Sequence, residues 1–227
     1  MAELAALTWP EVAGRAAGSL LAVPVGSTEQ HGPHLPLCTD TEIALELCRR
    51  LASARRDVLV APAVPYGSSG EHAGFAGTLS IGGPVLESVL VELGRSADAF
   101  AGIVFVSAHG GNTGPLRRAA SLLRSESRRA RVWALPAPPG ARADAHAGHT
   151  ETSVLLTMAP AAVRLGAAEA GPTAPLAELM PALATAGVAA VSPNGVLGDP
   201  AGASAEDGRR ILDGWAARLV ADLEGWP

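Results

Sequence analysis

Carboxylate and imidazole side chains are concentrated in the segment that follows the first apolar run of this chain. Glu29 and His31 come shortly after the apolar run 20–25, and because they are two residues apart, their side chains leave an extended segment on the same face. Asp40 stands where a segment with helical periodicity begins. Such groups, gathered at the end of a strand, are suitable ligands for Zn²⁺, Mn²⁺ or Fe²⁺. We therefore predict a metal-dependent hydrolase in which Asp40 bridges two ions, although a helix N-cap is the ordinary alternative for this residue.

A second candidate group begins at His109, which follows the apolar run 103–106. Gly110 and Gly111 come next, and a glycine pair lets backbone amides approach an anion at the start of a helix. One rival interpretation is an esterase with a His-Gly-Gly oxyanion hole, but the chain contains no Gly-x-Ser-x-Gly nucleophile motif. The other is a tight strand-to-helix turn that holds a hydrogen-bonded histidine.

The segment 146–153 supplies the remaining candidates. If Thr150 begins a helix, Glu151 lies in its first turn at the rim of the sheet, where its alternative role is a carboxylate stabilised by the helix dipole. His146, on the preceding loop, could act as a general acid or base because an unperturbed imidazole has a pKa of about 6.5. His149 could orient a metal ligand from outside the coordination shell.

The composition of the chain excludes several classes of function. Its 227 residues are 48% hydrophobic and 17% charged, which is typical of a compact protein with one sizeable core. A net charge of −5, 4% aromatic residues and no basic stripe argue against nucleic-acid binding. We expect no membrane span and no export signal, and therefore a cytoplasmic protein with two free thiols, Cys38 and Cys48. The absence of lysine excludes a Walker A loop and Schiff-base chemistry.

Strand-like and helix-like segments alternate along the chain, which favours a mostly parallel sheet with helices on both faces. We predict a single domain, 1–227, with its site beyond the carboxyl ends of the strands. Residues 165–208 are rich in Ala, Gly and Pro and read as an insertion that serves as a lid or a subunit contact. The predicted strands are 20–25, 58–61, 103–107 and 131–135, and the predicted helices are 40–52, 84–100, 112–127, 150–158 and a terminal helix around 211–223.

With these residues assembled, the chain resembles the creatininase family of metal-dependent amidohydrolases. The resemblance runs from about residue 18 to 215 and rests on the segments 25–34, 65–67, 77–78, 109–112 and 146–153. It implies a three-layer α/β/α sandwich with a mostly parallel central sheet. It also implies two divalent metal ions per subunit (Zn, Fe or Mn) and a homohexamer.

The family's functional residues fall on the candidates already named. The resemblance implies Glu29 and His109 as ligands of one ion, His31 as a ligand of the other and Asp40 as the bridge, with His146 catalytic. The chain departs from creatininase itself, which has a tyrosine and a metal-binding glutamate where Gly110 and Gly111 stand here. Glu151 is the available replacement, so we predict it as the fifth ligand and, with His146, as part of the catalytic set. No tryptophans stand beside His146, which argues against creatinine as the substrate.

One branch of the family, the peptidases of mycofactocin biosynthesis, is similar in further segments: 70–78, 146–153 and 187–192. That resemblance implies a modified precursor peptide as substrate, whose decarboxylated and cross-linked C-terminal Val-Tyr is released as a dipeptide. The alternatives are hydrolysis of a small cyclic amide or formamide, and a non-catalytic subunit that keeps a structural metal. The residues predicted to face the substrate are Tyr66, Ser69, Glu71, His72, Phe75, Gly110 and Gly111.

Overall fold

The computed structural model describes residues 2–136 and 144–226, and these form a sheet with helices on both of its faces. Every strand pairing in the sheet is parallel, and the strand order is β1-β3-β2-β4-β5. The predicted fold class, a three-layer α/β/α sandwich with a mostly parallel sheet, is therefore confirmed. The strands are β1 (Ala2–Glu3), β2 (Leu20–Val25), β3 (Val58–Val60), β4 (Gly102–Ser107) and β5 (Ala130–Ala134).

The helices of the described residues range from four to 18 residues in length. The longest, at the carboxyl end, begins after Ser204, whose hydroxyl accepts a hydrogen bond from the backbone N–H of Asp207 in the first turn. Across the described ranges, no helix is both long enough and apolar enough to cross a bilayer. The helices are α1 (Trp9–Ala13), α2 (Thr39–Ala54), α3 (Gly83–Ser96), α4 (Thr113–Ser125), α5 (His149–Met158), α6 (Leu176–Ala186), α7 (Val188–Val191) and α8 (Ala205–Asp222).

Each face of the sheet buries its own apolar cluster. On β4, Val104 and Val106 point to the face covered by α2, α5 and α8, whereas Ile103 and Phe105 point to the face covered by α3 and α4. This alternation follows from the two-residue period of a strand. Because both faces are covered, the central strands β2 and β4 are buried at every position.

The strongly periodic segments were predicted closely. The strand β1 and the helices α1, α6 and α7 were not predicted. The strand 20–25 is reproduced without change, and the other predicted elements are displaced by a few residues at their ends. The insertion 165–208 contains α6 and α7, which the sequence analysis did not identify because alanine, glycine and an internal proline obscure their periodicity. Part of the predicted loop 136–147 lies outside the described residues.

Candidate metal centre

The five residues predicted as metal ligands meet at one edge of the sheet; we call this group the metal floor. Glu29 and His31 follow β2, and His109 follows β4, which pairs with β2 along its whole length. Asp40 reaches the same place from the first turn of α2, and Glu151 from the first turn of α5. The carboxyl ends of adjacent parallel strands and the starts of two helices therefore bring these side chains together.

One group of donors consists of Glu29, His109 and Asp40. The Nδ1 atom of His109 lies 3.1 Å from Oε1 of Glu29 and 3.4 Å from Oδ2 of Asp40. The other ring nitrogen, Nε2, donates a hydrogen bond of 2.9 Å to the backbone carbonyl of Ser68. Because a carbonyl oxygen only accepts, this bond leaves Nδ1 as the nitrogen that faces the two carboxylates and can bind either a proton or a metal ion, the orientation usual for a metal-binding histidine.

A second group consists of His31, Glu151 and, again, Asp40. The Nε2 atom of His31 lies 3.3 Å from Oδ1 of Asp40 and 3.9 Å from Oε2 of Glu151. The Nδ1 atom of His31 donates to the backbone carbonyl of Glu29 at 3.1 Å, so Nε2 is the nitrogen left for a ligand. Asp40 directs one carboxylate oxygen toward each group, which is the geometry required of a bridging ligand.

The surroundings of the Glu29 carboxylate indicate whether these residues are suited to bind a cation. Glu29 is 0% exposed, and among the described residues neither of its carboxylate oxygens has a hydrogen-bond partner of acceptable geometry. A buried carboxylate without compensation is costly, so such a group is normally paired or bound to a metal. The donor set of three carboxylates and two correctly oriented imidazoles therefore fits divalent cations such as Zn²⁺, Mn²⁺ or Fe²⁺.

The field of the metal floor favours positive charge. Burial by itself lowers the pKa of His31, but the neighbouring carboxylates, Asp40 first, outweigh it and raise that pKa to about 10. Burial also lowers the pKa of His109, and Glu29 and Asp40 raise it to about 9. For Asp40, burial raises the pKa, while His31 and His109 bring it well below its usual range. Protons and divalent cations thus compete for the same nitrogen atoms.

The pKa of Glu151 is shifted in the opposite direction to that of Asp40. Burial, with a smaller contribution from Asp40, raises its pKa to about 7, although His31 acts in the opposite direction. Its Oε2 atom accepts a hydrogen bond of 2.6 Å from the backbone N–H of Ala147. Glu151 is therefore held in place by the turn that precedes α5 and can exchange a proton near neutral pH.

His146 lies beside the metal floor as a neutral imidazole. Burial, followed by the charges of His31 and His72, lowers the pKa of His146 well below its ordinary value. Its Nε2 atom donates to the backbone carbonyl of Gln30 at 2.7 Å, and its Nδ1 atom lies 3.9 Å from Oε1 of Glu29. The backbone N–H of His146 donates to the carbonyl of Leu197. The ring is thus fixed with an unprotonated nitrogen facing the cluster.

Two polar residues that support the site were missed in the sequence. Gln30 is buried and its Nε2 atom donates to Nδ1 of His72 at 2.8 Å and to the carbonyl of Gly195 at 3.0 Å. Ser27 donates from its hydroxyl to Oδ2 of Asp40 at 2.7 Å. Both residues stand within a few positions of Glu29 in the sequence, and this proximity was the available signal for their role.

The metal floor opens into a cleft of about 460 Å³. Four of the seven residues predicted to face the substrate line this cleft: Glu71, His72, Gly110 and Gly111. The rest of the lining comes from three residues of the metal floor (Asp40, His109 and Glu151), from His146 and from small or apolar side chains. These further lining residues are Ala108, Ala145, Leu176, Met180, Leu183, Ala184, Val188 and Leu197.

The other three predicted substrate residues do not line the cleft. Tyr66 is 45% exposed and lies outside the lining. Ser69 is buried beneath the site, with its hydroxyl 3.4 Å from Nε2 of His109. Phe75 packs against an apolar cluster that includes Leu183. His149 was predicted to orient a metal ligand. In the described residues its Nε2 atom lies 3.6 Å from Asp207 on α8, and no contact of His149 with the metal floor is seen.

Gly111 occupies a position where a side chain has no room. A Cβ atom there would collide with the carbonyl of Ser68 and would lie 2.6 Å from Oε1 of Glu71. The carboxylate of Glu71 thus fills the space beside His109, with Oε1 3.7 Å from the Nε2 atom of that histidine. Creatininase itself is expected to have a side chain where Gly111 stands in this chain. Here the space beside Gly111 is filled instead by Glu71, from the turn Gly70–His72.

Comparison with known proteins places this architecture in a family. A profile of the family Creatininase, described as creatinine amidohydrolase, matches residues 5–223. A protein of Mycobacterium tuberculosis named mycofactocin precursor peptide peptidase is 50% identical over 216 residues, covering 91% of this chain and 85% of that protein. A protein of the same name from Mycolicibacterium smegmatis is 56% identical over 199 residues, covering 85% of this chain and 79% of that protein.

Solved structures agree with the sequence comparisons. The crystal structure of creatinine amidohydrolase superposes with a TM-score of 0.84 at 25% identity, and the match covers 99% of this chain and 98% of that one. A structure described as creatininase Mn gives a TM-score of 0.83 at 25% identity with the same coverage. The profile match, the two relatives and the shared fold confirm the resemblance found in the sequence: this chain belongs to the creatininase family.

Proposed function

We propose that this chain is a two-metal peptidase that releases the C-terminal, Val-Tyr-derived dipeptide from the modified precursor peptide of mycofactocin biosynthesis. The observation that carries the proposal is the position of Asp40, which directs one oxygen toward each of two donor groups in a cleft beside a neutral histidine. The names of the relatives from Mycobacterium tuberculosis and Mycolicibacterium smegmatis support a precursor peptide as the substrate.

The five residues of the metal floor would hold the ions. Glu29 and His109 would bind one ion and His31 and Glu151 the other, with Asp40 shared. When bound, the two ions would lower the pKa of water toward about 7 and polarise the scissile carbonyl. Because the pKa of Glu151 is about 7 before an ion binds, this carboxylate gives up its proton at little cost on metal binding.

His146 would transfer the proton that the leaving amine requires. Its Nε2–H is engaged with the carbonyl of Gln30, so the Nδ1 atom is the site that receives and returns a proton. The low pKa of this ring ensures that Nδ1 is unprotonated when the reaction begins. Gly110, which lines the same cleft and has open space where a Cβ atom would lie, allows the substrate backbone to approach without obstruction from its own side chain.

The remaining features of the proposal concern the setting of the reaction. We propose Glu71 and His72 as residues that face the peptide, because both line the cleft next to the metal floor. We also propose a cytoplasmic homohexamer in which the whole of 1–227 forms one domain; the family resemblance supports the hexamer. Zn, Fe and Mn remain the candidate metals, since all three accept a mixed carboxylate and imidazole donor set.

The direct test is to incubate the purified protein with the modified precursor peptide and to follow the products by mass spectrometry. Protein loaded in turn with Zn²⁺, Fe²⁺ or Mn²⁺ is compared with protein treated with a chelator, and each metal's activity is measured separately. We expect the dipeptide to be released only with metal, and Glu29→Gln to lose activity while Glu42→Gln, at a partly buried position of α2 outside the metal floor and the cleft lining, retains it. Equal cleavage with and without chelator would contradict the proposal, as would hydrolysis of a small cyclic amide or formamide in preference to the peptide.

A further inference from the structure

The apolar part of the cleft lining comes mainly from one helix. Leu176, Met180, Leu183 and Ala184 of α6 line the cleft at intervals of four, three and one residues, which places them on one face of the helix. We call these four residues the α6 wall. Leu176 is 46% exposed and Met180 is 47% exposed, so both present free apolar surface within the cleft.

The α6 wall packs against the turn Gly70–His72, which contributes Glu71 and His72 to the same cleft. Leu183 belongs to an apolar cluster in which Phe75 and Leu179 pack from behind. The corner between α6 and α7 is Gly187, with φ 75°, where a Cβ atom would lie 2.9 Å from the carbonyl oxygen of Glu71. The end of α6 is therefore in close contact with the turn Gly70–His72, so the wall has a defined position relative to the metal floor.

The size and charge of the cleft indicate what the α6 wall can bind. A volume of about 460 Å³ is near the lower end of the range for sites that enclose a small molecule, and it is suited to a group of about two residues. None of the described residues that line the cleft is an arginine, and the chain contains no lysine. An anionic group therefore finds no arginine or lysine partner among the described residues of the cleft, and an occupant that reaches the wall meets apolar side chains.

We propose that the α6 wall, and Met180 and Leu176 above all, is the specificity surface that binds the apolar and aromatic side chains of the dipeptide during its release. This inference rests on the proposed function, since it concerns the same cleft and the same peptide. It assigns a role to the insertion 165–208 that is separate from metal binding. The metal floor holds the reacting amide, and the α6 wall selects what is attached to it.

The test compares two small amides that differ in one apolar group. Valyl-tyramine carries a phenol ring, and valyl-ethanolamine has the same amine and amide but lacks the ring. Their dissociation constants for the metal-loaded protein are measured by isothermal titration calorimetry. We expect the wild-type protein to bind valyl-tyramine at least about tenfold more tightly, because a buried aromatic ring contributes that much through its apolar area.

Substitutions on α6 locate this preference. Met180→Glu places a charge on the wall and should reduce the preference to less than about threefold, whereas Met180→Leu keeps the wall apolar and should retain most of it. Ala182→Glu adds the same charge to the exposed side of α6, outside the cleft lining, and should leave the preference intact. Circular dichroism and melting temperatures confirm that each variant is folded.

Three results would overturn the inference: equal binding of the two amides by wild type, an unchanged preference in folded Met180→Glu, or an equal loss in Ala182→Glu. A failure of the proposed function has a different signature. In that case the metal-loaded protein would not cleave the modified precursor peptide, whatever the ratio of the two dissociation constants.

Discussion

The metal floor and the α6 wall both contribute residues to one cleft, yet they differ in residue type and in the part of the chain that supports them. The floor is made of titratable side chains, four of them buried: three follow β2 and β4, whose register fixes their spacing, and two stand in the first turns of α2 and α5. The wall is made mostly of exposed apolar side chains on a helix that packs chiefly against α7 and the turn Gly70–His72. We infer that the floor determines which bond is broken and the wall determines which substrate is accepted.

The largest effect that we predict is a loss of bound metal and activity on substitution of a metal-floor residue. Asp40→Asn weakens the one residue that serves both donor groups, so it should reduce the bound metal and lower turnover by about 1,000-fold, equivalent to several kcal/mol of lost charge stabilisation. Elemental analysis by mass spectrometry and peptide cleavage assays measure the two quantities. If Asp40→Asn kept its full metal content and activity, the shared position assigned to Asp40 would be wrong.

The next effect concerns proton transfer without metal loss. His146→Gln removes the Nδ1 atom but keeps a side chain able to hydrogen bond with the carbonyl of Gln30, so kcat should fall by about 100-fold or more. The metal content should stay as in wild type, because His146 is not assigned to either donor group. A variant that lost its metal and changed little in kcat per bound metal would show that His146 is a ligand and not a proton carrier.

Ser27→Ala tests the support of the floor from outside the donor groups. The hydroxyl of Ser27 donates to Oδ2 of Asp40, and loss of such a bond commonly weakens metal binding by about 10- to 100-fold. Competition with a chromophoric chelator measures this affinity. Ser19→Ala, which removes a hydroxyl bonded to the carbonyl of Arg15 far from the cleft, is the matched control and should bind metal as wild type does.

Two neighbouring glycines, Gly110 and Gly111, test how tightly the residues around the metal floor are packed. A Cβ atom at Gly111 would collide with Ser68 and Glu71, so Gly111→Ala should lower the free energy of unfolding by about 1–3 kcal/mol. Gly110→Ala is the control, because a Cβ atom there meets nothing within 4 Å. Urea unfolding of the two variants measures the difference. Equal stability of the two would show that Glu71 does not fill the space next to position 111.

The smallest effect belongs to the wall. Leu176→Ala removes part of an exposed apolar surface, so KM for the peptide should rise by about threefold to tenfold through lost burial. Metal content should not change, because Leu176 contacts neither donor group. A rise in KM together with a loss of metal would mean that the wall and the floor are not independent.

The sequence predicted the floor because charged residues beside apolar strands are rare enough to be informative. Glu29, His31 and His109 each follow a buried strand, and parallel strands necessarily bring their carboxyl ends to one edge. Asp40 and Glu151 required a further step, since each stands in the first turn of a helix where a carboxylate is common for other reasons.

The wall could not be predicted in the same way. Leucine, methionine and alanine on a helix usually form a core, and nothing in the sequence of 165–208 distinguishes a side chain that faces a cleft from one that faces the interior. Gln30 and Ser27 were also missed, because the value of a buried hydrogen bond depends on partners that are distant in sequence. The substrate contact of Tyr66 stays a prediction, since this residue follows a strand but is 45% exposed and lies outside the cleft lining.

The most direct test of the account is a crystal structure of the metal-loaded protein with anomalous difference maps recorded at the absorption edge of the metal. We predict two peaks per chain on either side of Asp40, one beside Glu29 and His109 and the other beside His31 and Glu151. A single peak, or a pair of peaks that does not share Asp40, would contradict it.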